Sequence, residues 1–407
     1  MPTDQVFGRW DNAPALPVAA VTPAPAASVR REELRSPETK RVAPIDNLRA
    51  VLVAWVIAGH AFLGYTVIGG WPYDEVTEAT MPRHLELILG TVVGPTALFV
   101  MGTFFFLSGL LASSSIARHG PARFIRQRLI RLGLPWLLFT LLIWPLLMWG
   151  AYRAAGYPLP IWEALQARQP FLDSGPLWFV QILLYVSVGH ALLAWSSQAR
   201  SFQARTISLV LVAAAIAVAS FIVRMEFPAR SQQILDLHVW QWPQCIGLYA
   251  LGVFVTGQGW AERVPISTVR RCGITVLVAI TTGIAIAAAI GVSDLSHDAV
   301  PFVGGWHWQA FSLDVVEATL VVAGSVWLLG WAQRWLTSRG GASSRVARGA
   351  YVAYLLQAPI LIGLEIAGRS LDLPAVVKAV IVATVAVMAS FGLAWLFTRR
   401  RESSHLL

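Results

Sequence analysis

Residues 44–65 read PIDNLRAVLVAWVIAGHAFLGY, an apolar run long enough to cross a bilayer as a single helix. The run nevertheless contains Asp46, Arg49 and His60, and ionisable side chains within lipid are costly enough to indicate function. The eleven-residue step from Arg49 to His60 amounts to three helical turns plus about 20°, with a rise of roughly 16 Å. We therefore expect one helix to direct a cation near one membrane face and an imidazole near mid-depth into the same cavity, as part of an active site.

The composition of the chain indicates a membrane protein. Of its 407 residues, 56% are hydrophobic and only 13% are charged. Apolar runs that can form spanning helices recur at about 44–66, 84–112, 129–150, 175–196, 206–224, 238–257, 272–291, 311–335, 350–367 and 374–398. We therefore predict an all-α membrane protein with about ten transmembrane helices.

The distribution of basic residues predicts the topology. With a cytosolic amino terminus, 24 of the 31 Lys and Arg residues fall on cytosolic segments, a strong positive-inside bias that places both termini in the cytosol. The same bias accounts for most of the net charge of +9 without a nucleic-acid partner. We expect residues 1–43, rich in Pro and Ala and without a signal-peptide pattern, to be a disordered cytosolic tail. Residues 44–398 are then the membrane domain and residues 399–407 a basic cytosolic tail.

Several motifs along the chain resemble one family. Besides the Arg and His of the first span, they are FFFLSGLL at 104–111, RLIRLGLP at 128–135, GPLWFV at 175–180 and YVAYLLQAP at 351–359. Together they resemble the acyltransferase 3 family of integral membrane O-acyltransferases. APIDNLRA, GGWHWQA and PQCIGLYALGVF at 243–254 look most like the branch of glucans biosynthesis protein C, the glucan succinyltransferase type.

The resemblance implies a ten-helix, multi-pass enzyme of the bacterial inner (plasma) membrane. Such an enzyme moves an acyl group from cytosolic acyl-CoA to a hydroxyl of a glycan or other acceptor. The essential first-span pair of the family maps onto Arg49 and His60, and its paired basic residues at the start of the third span map onto Arg128 and Arg131. Many relatives carry His where this chain has Gln357, so His60 is expected to act without that second imidazole.

His60 is the candidate general base. Acyl transfer from a thioester to an alcohol requires removal of the hydroxyl proton, and imidazole suits that task near neutral pH. His190 in the fourth span is the rival. A structural role, with His60 hydrogen-bonded across helices in the core, is the alternative.

The basic residues near the cytosolic face are candidates for binding the donor. Arg128 and Arg131, three residues apart, are expected to share a helical face, and with Arg126 they would bind the phosphates of coenzyme A. Arg49, with Asp46 three residues earlier to orient it, would contact a phosphate or carboxylate at the cytosolic mouth. Anchoring under the positive-inside rule explains all of these residues without a ligand.

The acceptor is expected on the opposite side. Predicted outer loops at 67–83, 151–174 and 292–310 are rich in Trp, Tyr, Gly and acidic residues, which suits a carbohydrate, although an interfacial aromatic belt explains any single Trp as well. The acceptor-side candidates are Trp178, Trp306, Trp308 and Asp314. Glu317, one turn beyond Asp314, is a catalytic candidate that would accept from acceptor hydroxyls or orient His60, whereas Asp314 could instead cap its helix.

Other chemistries are less well supported by the sequence. His297 and His307 lack metal-ligand spacing, and we expect no metal. Ser108 in FLSGLL lacks the pattern of a nucleophile elbow, and packing between helices explains it better. A transporter with a His and Arg proton relay, or a relative that has lost catalysis, remains an alternative, as does approach of the acceptor from the cytosol.

Overall fold

Helices make up the framework of the protein. The structure, a computed structural model, describes residues 43–67, 71–73, 78, 80–157, 160–167, 172–196, 208–229, 231, 233, 236–290, 300–338 and 340–402. Within those residues there is no strand. Ten long helices, labelled α1 to α10 in chain order, span Ala43–Leu63, Arg83–His119, Pro121–Ala154, Trp178–Ser196, Leu209–Glu226, Trp242–Thr256, Ile266–Ile290, Trp308–Trp335, Gly341–Gly368 and Ala375–Glu402.

The prediction of an all-α polytopic membrane protein is confirmed, with one difference in length. Nine of these ten helices, in the part of the chain that the structure describes, are long and apolar enough to span a membrane. The exception is α6, whose 15 residues rise only about 22 Å against a hydrocarbon core of roughly 30 Å. A 3₁₀ turn, Val239–Gln241, precedes it and extends its length.

The ends of the chain differ from the prediction where they are described. The last helix, α10, continues through Glu402, so the segment predicted as a basic tail from residue 399 begins as helix. Residues 1–42 and 403–407 lie outside the described part, and so does the predicted disordered tail. The cytosolic location of both termini stays a prediction.

Helix α8 lies at the centre of the bundle. It packs against α1, α2, α5 and α7, while α9 and α10 pack against each other and against α1. Helix α3 is interrupted by two π-helical turns, Leu129–Gly133 and Phe139–Ile143, which often accompany functional sites in helices. The first of these turns contains Arg131, so its angular spacing from Arg128 is not that of an α-helix.

Helices α2 and α6 approach each other through two glycines. A Cβ atom on Gly252 would lie 2.1 Å from the backbone oxygen of Phe106, and one on Gly109 would lie 2.0 Å from the backbone oxygen of Tyr249. Small residues allow such close contact between membrane helices. The short helix α6 is therefore held against α2 by backbone contact.

Replacing Gly252 with alanine is expected to destabilise the protein by about 1–3 kcal/mol, because the added methyl group forces the two helices apart. Gly392→Ala in α10 is the matched control, because a Cβ atom there meets nothing within 4 Å. The measurement is the thermal unfolding midpoint of purified protein in detergent. Equal midpoints for the two variants would contradict the close contact between α2 and α6.

Candidate functional site

A cavity of about 620 Å³ lies where α1 ends and where α4 and α6 begin. Its lining is mainly apolar, with a few polar groups that converge on it, as is typical of ligand sites. The functional side chains that line it include His60, Trp178, His238, Trp240, Glu317 and Tyr354. Of the predicted site residues, His60, Glu317 and Trp178 are thus brought together.

His60 lies in the last turn of α1, and its depth in a bilayer stays a prediction. The apolar run continues to residue 66, but the helix ends at Leu63, and His60 is only about 5 Å along the axis from that end. Its Nδ1 atom lies 3.2 Å from Oε1 of Gln357. Because an amide oxygen only accepts, Nδ1 carries the proton in this hydrogen bond and Nε2 keeps a free lone pair.

Trp71 covers the other side of the imidazole. The two rings are stacked, with 4.7 Å between centroids and 19° between planes. The indole Nε1 of Trp71 donates to the buried carboxylate of Glu365 at 3.1 Å. His60 is therefore held between an amide and an aromatic ring, and that ring is itself hydrogen-bonded.

A network of hydrogen bonds also holds the segment that contains Trp71. The hydroxyl of Tyr73 donates to Glu78 at 2.5 Å, and Lys378 donates to the same carboxylate at 2.6 Å. Burial raises the pKa of Tyr73, and its bond to Glu78 raises it further, so the phenol keeps the proton that it donates. Lys378 is thus a buried charge with a paired carboxylate.

Glu317 and Asp314 share one buried cation, Arg224. Nη1 of Arg224 donates to Oε2 of Glu317 at 2.6 Å and also to Oδ1 of Asp314, and all three side chains are buried. Arg224 is therefore the buried counter-ion of both carboxylates. The capping role predicted for Asp314 is wrong, because α8 begins at Trp308. Asp314 does not line the cavity, whereas Glu317 does.

The arginines predicted to bind the donor form a separate cluster. Arg128 lies over the ring of Phe124 at 4.9 Å and interacts electrostatically with Arg49 and Arg131. Arg49 pairs with Asp46 at 3.7 Å, as predicted, whereas Arg126 and Arg131 are exposed. None of these arginines lines the cavity. The expectation that Arg49 and His60 face the same cavity is therefore wrong for this conformation.

The aromatic residues predicted for the acceptor are divided between two places. Trp178 lines the cavity, but Trp306 and Trp308 are 80% and 63% exposed and do not. Trp306 instead lies beside Phe221, with 5.7 Å between ring centroids. His297 falls within residues 291–299, outside the described part.

Sequence reasoning missed His238, a second imidazole on the same cavity. Its Nδ1 lies 2.9 Å from the backbone oxygen and 3.1 Å from Oδ1 of Asp236. Burial alone lowers the pKa of His238, but the hydrogen bonds and the charge of Asp236 outweigh burial and raise it. The only signal in the sequence is the DLH triplet at 236–238, which gives no indication of which cavity it faces.

The remaining candidates lie away from this cavity. Nδ1 of His190 lies 3.1 Å from the hydroxyl of Tyr249, Ser108 is buried in α2, and neither lines the cavity. His307 is exposed at the start of α8. Within the described residues, no three His, Cys, Asp or Glu side chains are grouped so as to hold a metal ion.

The two cysteines of the chain line two different cavities. Cys245 lines the cavity of His60, while Cys272 lines a second one, of about 730 Å³, among α5, α7 and α8. Both thiols are free and buried. The second cavity contains none of the predicted site residues.

Comparison with known proteins gives a match at the level of the family. The model of the acyltransferase 3 family, described as an acyltransferase domain, matches residues 42–399. No curated protein and no solved structure matches the chain.

Proposed function

Because the chain belongs to the acyltransferase 3 family of multi-pass membrane O-acyltransferases, we propose that it moves an acyl group from cytosolic acyl-CoA to a hydroxyl of a carbohydrate or glycan-like acceptor. One observation carries the proposal for the site: His60 is tethered at Nδ1 by Gln357, stacked on Trp71 and positioned on a cavity large enough for a small ligand. The unprotonated Nε2 is the atom that would accept the hydroxyl proton.

His60 acts in this proposal as the general base. As the acceptor oxygen attacks the thioester carbonyl, its proton passes to Nε2 of His60, and the Gln357 bond at Nδ1 stabilises the orientation of the ring. Glu317, held by Arg224, accepts a hydrogen bond from another acceptor hydroxyl. The partly buried Trp178 ring, whose other face stacks on His238, gives a sugar ring an aromatic surface on which to stack.

The arginine cluster acts as the donor site at the opposite end of α1. Guanidinium groups bind phosphates through paired N–H donors, and three cations in mutual electrostatic contact suit a polyanion such as coenzyme A. Arg49, Arg128 and Arg131 provide these charges, with Arg126 at the surface. Since the cluster does not line the cavity, the acyl arm must extend over the roughly 16 Å between Arg49 and His60.

The position of His60 in the last turn of α1 favours an acceptor that enters from the end of the bundle opposite to Arg49. If that arginine faces the cytosol, the acyl group crosses most of the bilayer within the protein. The protein would then acylate an acceptor on the outer side of the bacterial inner membrane. Acyl-CoA and the acceptor would not need to occupy the same compartment.

The test uses purified protein in lipid vesicles with acetyl-CoA and succinyl-CoA, with and without an oligosaccharide acceptor. We expect release of free coenzyme A thiol that rises with the acceptor, together with an acceptor mass increased by one acyl group. A transporter would instead move its substrate along a gradient and leave the thioester intact. That result, or thiol release without acylated acceptor, would contradict the proposal.

Replacing Gln357 with alanine is expected to lower kcat about tenfold, because the imidazole loses the hydrogen bond that selects its tautomer. Gln181→Ala is the matched control. Gln181 is also a fully buried glutamine within a helix, but its amide donates to Tyr185 at 3.1 Å instead of bonding to His60. Both variants are compared by thiol release and by thermal midpoint. Equal losses of activity in the two would contradict a specific role for Gln357.

A further inference from the structure

Two imidazoles line the same cavity, but their hydrogen-bond partners differ in charge. The partner of His60 is the neutral amide of Gln357, whereas the partner of His238 is the carboxylate of Asp236. A neutral partner leaves an imidazole in its basic form, and a carboxylate favours the imidazolium. Where the surroundings move the pKa values of two titratable groups in one site apart, one group acts as the base and the other as the acid.

The His238 side chain is held in place from three directions. Asp236 binds its Nδ1, and the Trp178 ring stacks on it with 4.6 Å between centroids and 21° between planes. The ring of Trp240 lies 6.0 Å away. With Nδ1 occupied by the carboxylate, Nε2 is the nitrogen left to exchange a proton with a ligand, as in hydrolase triads.

The backbone around the dyad adopts a conformation that is uncommon for residues other than glycine. Asp236 has φ of 54° and His238 has φ of 45°, both in the left-handed region. Ser174 donates to the second oxygen of Asp236 at 3.2 Å, which anchors the carboxylate. Such strain persists where the surroundings enforce it, and it is concentrated at functional sites.

The groups around His238 leave Asp236 as its dominant charged neighbour. Asp173 adds further negative charge and hydrogen-bonds to Asp236, while its oxygens accept from Trp144 at 2.9 Å and from the Gly175 backbone at 2.7 Å. Among the described side chains that line the cavity, the other titratable ones are Glu317, His60, Cys245 and Tyr354. Arg224 lies against the ring of Trp240. Arg224 is already paired with Glu317, so it adds little positive charge to oppose protonation of His238.

We propose that His238 is the general acid of the acyl transfer, and that its Nε2–H donates to the thioester sulfur as the carbon–sulfur bond breaks. This inference rests on the proposed function. His60 takes the proton of the acceptor hydroxyl, the acceptor oxygen bonds to the carbonyl carbon, and the tetrahedral intermediate expels sulfur, which leaves with the proton of His238 as the free thiol. His60 then holds one proton more and His238 one fewer, and water in the cavity returns the proton from one ring to the other.

The first test is the pH dependence of kcat/KM. A base and an acid together give a bell-shaped profile, in which the alkaline limb reports deprotonation of His238. Asp236→Asn keeps an acceptor oxygen near Nδ1 but removes the charge that raises the pKa of His238. We therefore expect its alkaline limb to move to lower pH by about one to two units. An unmoved alkaline limb in this nearly isosteric variant would overturn the proposal.

The second test varies the leaving group. A coenzyme A thioester is compared with an aryl thioester of the same acyl group, whose weakly basic thiolate departs without a proton. We expect His238→Gln to lower transfer from the coenzyme A thioester about a hundredfold but to affect the aryl thioester much less. His60→Gln should lower both equally, because the acceptor proton must be removed in either case.

The outcomes separate the two proposals. If the wild type transfers acyl groups but His238→Gln loses the same fraction with both donors, the acid role is wrong and the proposed function stands. If the wild type transfers from neither donor, the proposed function is wrong and the acid role with it. The thermal midpoint of each variant confirms that the comparison is between folded proteins.

Discussion

Replacing His60 with alanine or glutamine should lower the rate of acyl transfer by about a hundredfold to ten-thousandfold, the usual contribution of a general base. Its Nδ1 is bonded to the neutral amide of Gln357, which leaves Nε2 as the free basic nitrogen that faces the acceptor oxygen. Because its Nδ1 bond is a single contact with Gln357, the fold should survive its loss.

The control for this prediction is His307→Ala, which removes an exposed imidazole remote from the cavity. The measurements are the amount of acylated acceptor, by mass spectrometry, and the release of thiol. They are compared at equal concentrations of folded protein. His190→Ala examines the rival base, and we expect it to retain catalysis because His190 does not line the cavity. If His60→Gln transferred the acyl group at the wild-type rate, or if only His190→Ala abolished transfer, the general base would be a residue other than His60.

Replacing Arg224 with methionine should have the largest effect on stability, a loss of about 3–5 kcal/mol. The guanidinium is 1% exposed and its Nη1 serves both Asp314 and Glu317. Without it, two carboxylates are left buried beside each other with no cation to compensate them. The thermal midpoint in detergent and the yield of folded protein are the measurements.

Neutralising the two carboxylates should restore the stability that the loss of Arg224 removes. In the Arg224→Met background, Asp314→Asn with Glu317→Gln removes the uncompensated charges, and we expect the triple variant to recover most of the lost midpoint. Recovery of stability need not restore activity, because Glu317 also lines the cavity. A triple variant as unstable as the single one would show that packing of the Arg224 side chain, rather than its charge, is what the fold requires.

The helical framework was predictable because lipid leaves the backbone few alternatives. Apolar length alone locates the ten helices, since every backbone group must find its partner within the segment. The ends were less predictable: the apolar run of α1 extends to residue 66, but the helix stops at Leu63, so that His60 falls in its last turn. Helix ends read from an apolar run therefore carry an error of about a turn.

The site was only partly predictable because its contacts join distant parts of the chain. Gln357 is 297 residues from His60, and Arg224 is about 90 residues from its carboxylates. Counting charges by membrane side could not show that Arg224, two residues before the end of α5, is paired with carboxylates on α8. No helical period applies to the turn that contains His238, so its place on the cavity was not evident from the sequence.

Because each cavity is lined by one of the two thiols, the alkylation rate of each thiol can report whether a ligand occupies that cavity. Because Cys245 borders the chamber of His60 and Cys272 borders the other one, a Cys272→Ser variant carries a single native sulfhydryl beside the proposed chemistry. Its alkylation rate by a small maleimide reports, without any introduced label, whether an added molecule fills that chamber. Cys245→Ser gives the reciprocal probe, so ligands that enter one compartment are distinguished from those that merely partition into lipid.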